Sequence, residues 1–220
     1  MNFFKKESAK LKSSSFELNR RRLNWKLVTQ NKIRSKFQEI AEFSRKTEYP
    51  FRLFCQVHDK TTNEATVQLS SGANKTGVVE IINTPEKKGV SCKAERGSAL
   101  VASFGSTGSV AFIIYPYKSE RYSRGEEDII LHIALNPDNV SDKLIDKCIS
   151  KYLFYNRYSS IYGVYSNSLM DIIKINWMIL TDVRNRKKLL QSFWTLFVEW
   201  SKIIGAGIAG YIVAVITQNP

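Results

Sequence analysis

The chain has 220 residues, 43% of them hydrophobic, and a formal net charge of +13. That length supports one good core with appendages, and that apolar content excludes a wholly disordered or collagen-like chain. Three widely spaced cysteines, Cys55, Cys92 and Cys148, form no C-x-x-C pair, which argues against a disulfide framework and fits a reducing compartment.

Residues 1–50 carry 13 Lys and Arg against 5 Glu, a net of +8, and read as a basic helical arm. Ser13, Ser14 and Ser15 mark an expected break. Beyond it Ile33, Phe37, Ile40 and Ala41 recur at the spacing of one apolar helix face, which Leu23 and Leu27 would extend. Pro50 ends the segment, because a residue before proline is pushed out of the helical region. Arg20, Arg21, Arg22 and Lys26 form a cationic group suited to the phosphates of lipid head groups or nucleic acid. The plainer reading is a solvated basic helix packed on its own domain. No apolar core of a signal peptide occupies the first 30 residues, so the bulk of the chain is expected in the cytoplasm.

Residues 51–135 are nearly neutral, with 10 basic against 9 acidic side chains. FRLFCQV, ATVQL, GVVEII, VSCKA, SALVASF, SVAFIIY and DIILHIAL give seven strands separated by turn formers such as SSGANKTG, NTPEKKG and GSTGS. Regular spacing without intervening helices predicts an antiparallel β-sandwich or small β-barrel. His58 and His132 lie in these strands at spacings unhelpful for a metal, and no metal or cofactor is expected. GANKTG has its Lys and Thr before the second glycine, unlike a P-loop, and GSTGS is not a nucleophile elbow; both read as turns. The segment Tyr115–Arg124 sets Tyr115, Tyr117 and Tyr122 among Lys118, Arg121 and Arg124. Aromatic faces stack on bases while cations hold phosphate, so this loop suits a nucleotide or single strand; the alternative is an ordinary exposed turn. No constellation supports catalysis.

Residues 136–165 form a capping helix and a tyrosine-rich connector. Ser141 caps, Asp142 lies in the first turn, and Leu144, Ile145, Cys148, Ile149, Tyr152 and Leu153 share one face. Residues 166–201 read as an amphipathic stalk of one helix or two, breaking near Asp182 to Asn185.

Residues 202–220 read as a membrane segment. Gly205, Gly207 and Gly210 spell G-x-G-x-x-G, but only ten residues follow and none is acidic, so no dinucleotide-binding βαβ unit can be completed. Ile203–Ile216 would span roughly 21 Å as helix against a hydrocarbon core of about 30 Å, so a crossing needs the neighbouring residues as well. Trp194 and Trp200 stand where an interface would be, and Arg184, Arg186, Lys187 and Lys188 precede the apolar run with no positive side chain after it. That asymmetry predicts a single C-terminal span with the N-terminal bulk in the cytoplasm; a buried core helix is the competing expectation. Ala206, Gly210 and Ala214 would form a flat strip for helix association and a homo-oligomer.

The whole is thus expected to be α+β: about seven antiparallel strands flanked by helices, with a basic helix before and a membrane-type helix after. The expected role is a non-enzymatic membrane-attached effector or sensor whose β-domain receives a protein partner or anionic ligand. This arrangement is similar in outline, at the level of architecture alone, to small membrane effectors of bacterial antiviral defence. The alternative is a soluble basic protein that binds nucleic acid through its N-terminal arm, with the C-terminal helix in its core.

Overall fold

Lys, Arg, Leu and Glu make up 21 of the first 46 residues, and their helix propensity carries the backbone straight through the three serines. The computed structural model, which describes residues 2–59, 65–84, 87–119 and 124–185, has helix α1 at Asn2–Asn24, a π-helical turn at Trp25–Thr29 and helix α2 at Gln30–Lys46. Every residue from Asn2 to Lys46 is thus helical, a rod of roughly 65–70 Å. Glu7 pairs with Lys10, and Glu17 with Arg20 and Arg21, one turn apart along α1. The expected break at Ser13–Ser15 is therefore not found. The π turn changes the phase of the rod: Trp25, Thr29, Ile33, Phe37 and Ala41 are buried, while Leu23 and Leu27 are exposed and stand outside the stripe.

Seven strands follow in the expected places: β1 (Leu53–Asp59), β2 (Ala65–Ser71), β3 (Asn74–Thr84), β4 (Lys87–Glu95), β5 (Ala99–Phe104), β6 (Val110–Tyr115) and β7 (Ile129–Ala134). All pairings are antiparallel. Five strands form one sheet in the order β1-β2-β5-β6-β7, and β3 with β4 forms a separate two-stranded ribbon. The sheet does not close into the barrel that was one expectation, since β1 and β7 are both edges. The physical reason is that helices cover the sheet's buried face, so no second strand layer has to.

Alternate residues of β2, β5 and β6 are buried, and the registered pairs Leu69–Leu100, Ala102–Phe112 and Leu100–Ile114 place them on one face. Helix α2 packs over β1 and β2, and helix α3 (Asp142–Ser159) over β5. The Ser141 hydroxyl accepts the Leu144 amide, so the expected cap is present, and Ile145, Cys148, Ile149 and Tyr152 join the core. At one end Trp25 stacks on Phe104 with ring centres 5.2 Å apart. A short 3-10 turn (Ile161–Ser166) leads into helix α4 (Leu169–Leu180), and a turn at residues 181–185 matches the expected break. Among the described residues no helix is long and apolar enough to cross a membrane. The segment 202–220, with Ala206, Gly210 and Ala214, lies outside them.

Candidate functional site

Helix α4 has the sequence LMDIIKINWMIL, apolar on nearly every side. Ser168 and Asp171 make a reciprocal capping box that fixes its start. Asp171, Ile175 and Met178 turn inward. Leu169, Ile173 and Leu180 project from the opposite face, flanked by Met170 and Trp177; Leu169 is 80% and Trp177 65% exposed. A helix apolar all round belongs in a core or in lipid, yet among the described residues nothing covers the outer face of α4. The preceding 3-10 turn adds Val164 and a fully exposed Tyr165. Cations stand at the margin, with the Lys174 ammonium 5.9 Å and the Arg157 guanidinium 5.7 Å from the Phe154 ring centre. Apolar surface of this kind, with Trp and Tyr among its members, is what membranes and partner proteins commonly cover in proteins at large.

The turn before α4 is tightly specified. Arg157 donates to the Ser166 carbonyl and to Asn167 Oδ1, each at 3.1 Å, and to Asp171 Oδ2 at 3.0 Å. That guanidinium holds the Asp171 carboxyl below its ordinary range. A methyl group on Gly163 would lie 1.9 Å from the Arg157 carbonyl oxygen, so only glycine fits there.

The tyrosine-rich loop is divided by the fold. Tyr117 is only 1% exposed, and burial pushes its hydroxyl up to about 12. Its ring serves the core and offers no free face to a base. Lys118 is exposed, but its backbone is held in a two-way bridge to Arg96, with both bonds at 2.8 Å. Tyr115 is half-buried. Arg124 lies 4.6 Å from the Tyr158 ring centre and donates to Glu126, which also accepts the Tyr155 hydroxyl at 2.6 Å. Burial works against its charge, but Glu126 outweighs it and raises the guanidinium further. Arg121 and Tyr122 lie outside the described residues.

The basic candidates are also partly committed to structure. Arg20 donates to Glu17 and, at 2.8 Å, to Asp138; Arg21 donates to Glu17 and, at 2.7 Å, to the Leu135 carbonyl. These bonds fasten the rod to the turn after β7. The Arg22 Nε is buried without a hydrogen-bond partner, and Lys26 is exposed. Arg184 grips Asp182 and Asp128 at 2.9 and 2.7 Å. Arg186, Lys187 and Lys188 lie outside the described residues.

A buried polar clasp was missed in the sequence. Glu95 accepts hydrogen bonds from Asn74 Nδ2 at 2.9 Å, the Ile161 amide at 2.9 Å and the Ser160 hydroxyl. Beside it Asn156 Oδ1 accepts from Ser71 at 3.0 Å and Ser98 at 2.7 Å. Together these tie the base of the β3–β4 ribbon to the end of α3. Nothing local distinguishes Glu95 from other strand carboxylates, so no sequence signal could have found it. Among the described residues no group of three or more His, Cys, Asp or Glu side chains could hold a metal ion. No protein-family model, curated protein or solved structure matches the chain.

Proposed function

We propose that this chain is a non-enzymatic membrane-attached effector or sensor, seated on lipid through the outer face of α4 and the C-terminal residues beyond it. The observation that carries the reading is the uncovered apolar face Leu169–Ile173–Leu180 with Met170 and Trp177. A buried face of comparable composition would stabilise the fold, whereas this one costs free energy in water until something apolar covers it. The uncharged stretch Ile203–Ile216 follows a short distance along the chain and supplies a second apolar element. One marginal signal gives reversible membrane binding, whereas two together anchor stably. The sheet domain then presents its surface to a partner or anionic ligand, and small residues at 206, 210 and 214 allow the chains to cluster.

Fractionation of cells expressing the full chain tests the proposal. Pelleting that resists carbonate is expected; recovery of the chain as a monodisperse species without detergent would refute it. The nucleic-acid alternative requires Arg20, Arg21, Arg22 and Lys26 to engage phosphate; Arg20 and Arg21 are already bonded to Glu17 and to groups after β7, whereas Lys26 is exposed.

A further inference from the structure

The two edges of the five-stranded sheet are treated differently. At β7 the edge is closed: the Val183 amide donates to the Ile130 carbonyl, the Ile130 amide to Asp182, Arg184 to the Asp128 carbonyl and Arg21 to the Leu135 carbonyl. At β1 no further strand among the described residues pairs with the outer edge, which is accessible beyond the buried Leu53. The Gly72 amide donates to the Arg52 carbonyl at 2.8 Å, and the register Leu53–Ser71 runs on to Asp59–Ala65 without a bulge. Antiparallel pairing alternates, so Phe54 and Gln56 direct their backbone groups at β2, whereas Leu53, Cys55 and Val57 direct theirs outward. The strand LFCQVHD also lacks the Lys, Pro or bulge by which proteins usually blunt an edge.

Alongside this row of donors and acceptors lies a groove of about 820 Å³ between α2 and β1. Ala41, Glu42 and Arg45 of α2 form one wall, Tyr49 and Arg52 one end, and Cys55 belongs to the strand side. We infer that this groove binds an extended peptide segment of a partner protein, which adds to β1 as a sixth strand. Leu53 is buried, so main-chain hydrogen bonds to Cys55 and Val57 supply the affinity, and alternate apolar side chains of the peptide enter beside Ala41 and Tyr49. A second copy of the chain fits less well. Antiparallel β1–β1 pairing would put both α2 helices on the same side of the joined sheet, where each would meet the other across the slot that holds the strand.

The test selects peptides from a phage-displayed random dodecamer library on the immobilised full chain and measures their affinity by fluorescence anisotropy. Val57→Pro removes one outward donor and leaves the bonds to β2 in place; it is expected to weaken binding by about five- to tenfold, the value of one lost bond, relative to Val57→Ala. N-methylation of each amide of a selected peptide, assayed with the unaltered protein, is independent of how the variant folds. Losses confined to alternate peptide residues support strand addition. Failure to select any peptide, methyl groups tolerated at every position, or a dimer that Val57→Pro dissociates would each overturn it.

Discussion

The Ile130 amide donates to Asp182 Oδ2 at 2.8 Å, so a side chain from the turn after α4 occupies the place of a neighbouring strand at the β7 edge. Arg184 adds its own amide and guanidinium to the same carboxylate at 2.7 to 3.1 Å. Helix α4 is thereby locked at its C-terminal end to the sheet, as Arg157 locks its start to α3.

Burial raises the Asp182 carboxyl, but the Arg184 guanidinium and the amides of Ile130 and Arg184 outweigh it and leave the group below its ordinary range. A depressed carboxyl stabilises the fold above its unfolded value of about 3.9, and that contribution is lost as pH falls through the folded value. Asp182→Asn is expected to cost about 1–3 kcal/mol at pH 7 and to reduce the loss of stability between neutral and acid pH. Urea unfolding at pH 7 and pH 3 measures both effects; an unchanged difference between the two pH values would show that Asp182 does not contribute.

Gly163→Ala is expected to destabilise by about 1–3 kcal/mol, because its methyl group meets backbone, which yields less readily than a flexible side chain. Thermal or denaturant unfolding checks the magnitude. Hydrogen exchange at the first turn of α4 should speed up in the variant, since Ser160 to Ser168 set its position.

Glu95→Ala removes the shared acceptor of Asn74, Ser160 and the Ile161 amide. Buried donors left without partners cost about 1–3 kcal/mol each, in the part of the molecule where the ribbon meets α3. Limited proteolysis should then cut the β3–β4 ribbon faster, with the five-stranded sheet less affected.

Tyr117→Ala separates the two readings of the tyrosine-rich loop. As a core ring it is expected to cost about 3–5 kcal/mol of stability. A residue whose work is stacking on a ligand would leave unfolding nearly unchanged.

Legibility followed the range of the signal. The strands could be read because β-branched runs alternate with turn formers, and α3 because Ser141 and the face Ile145–Cys148–Ile149–Tyr152 declare themselves locally. The N-terminal rod was misjudged where its outcome depended on neighbours: strong helix formers on both sides carry Ser13–Ser15, and the π turn at Trp25–Thr29 moves Leu23 and Leu27 off the buried stripe. Barrel closure was undecidable because strand pairing beyond adjacent hairpins is set by tertiary packing. In the candidate site, the segment read as an amphipathic stalk is apolar on nearly every side of α4, and its exposure was not legible, since Leu169, Ile173 and Trp177 differ from Ile175 and Met178 only in what the fold puts against them.

Lipid contact by α4 is measured most directly through Trp177. In a full-length Trp194→Phe, Trp200→Phe chain the remaining tryptophans are Trp177, which is exposed, and Trp25, which is 3% exposed in the core. On binding to vesicles whose acyl chains carry bromine, Trp177 emission should be quenched strongly while Trp25 retains its fluorescence. Vesicle-bound protein whose Trp177 emission equals that in unbrominated lipid would contradict the proposal that this face lies in the membrane.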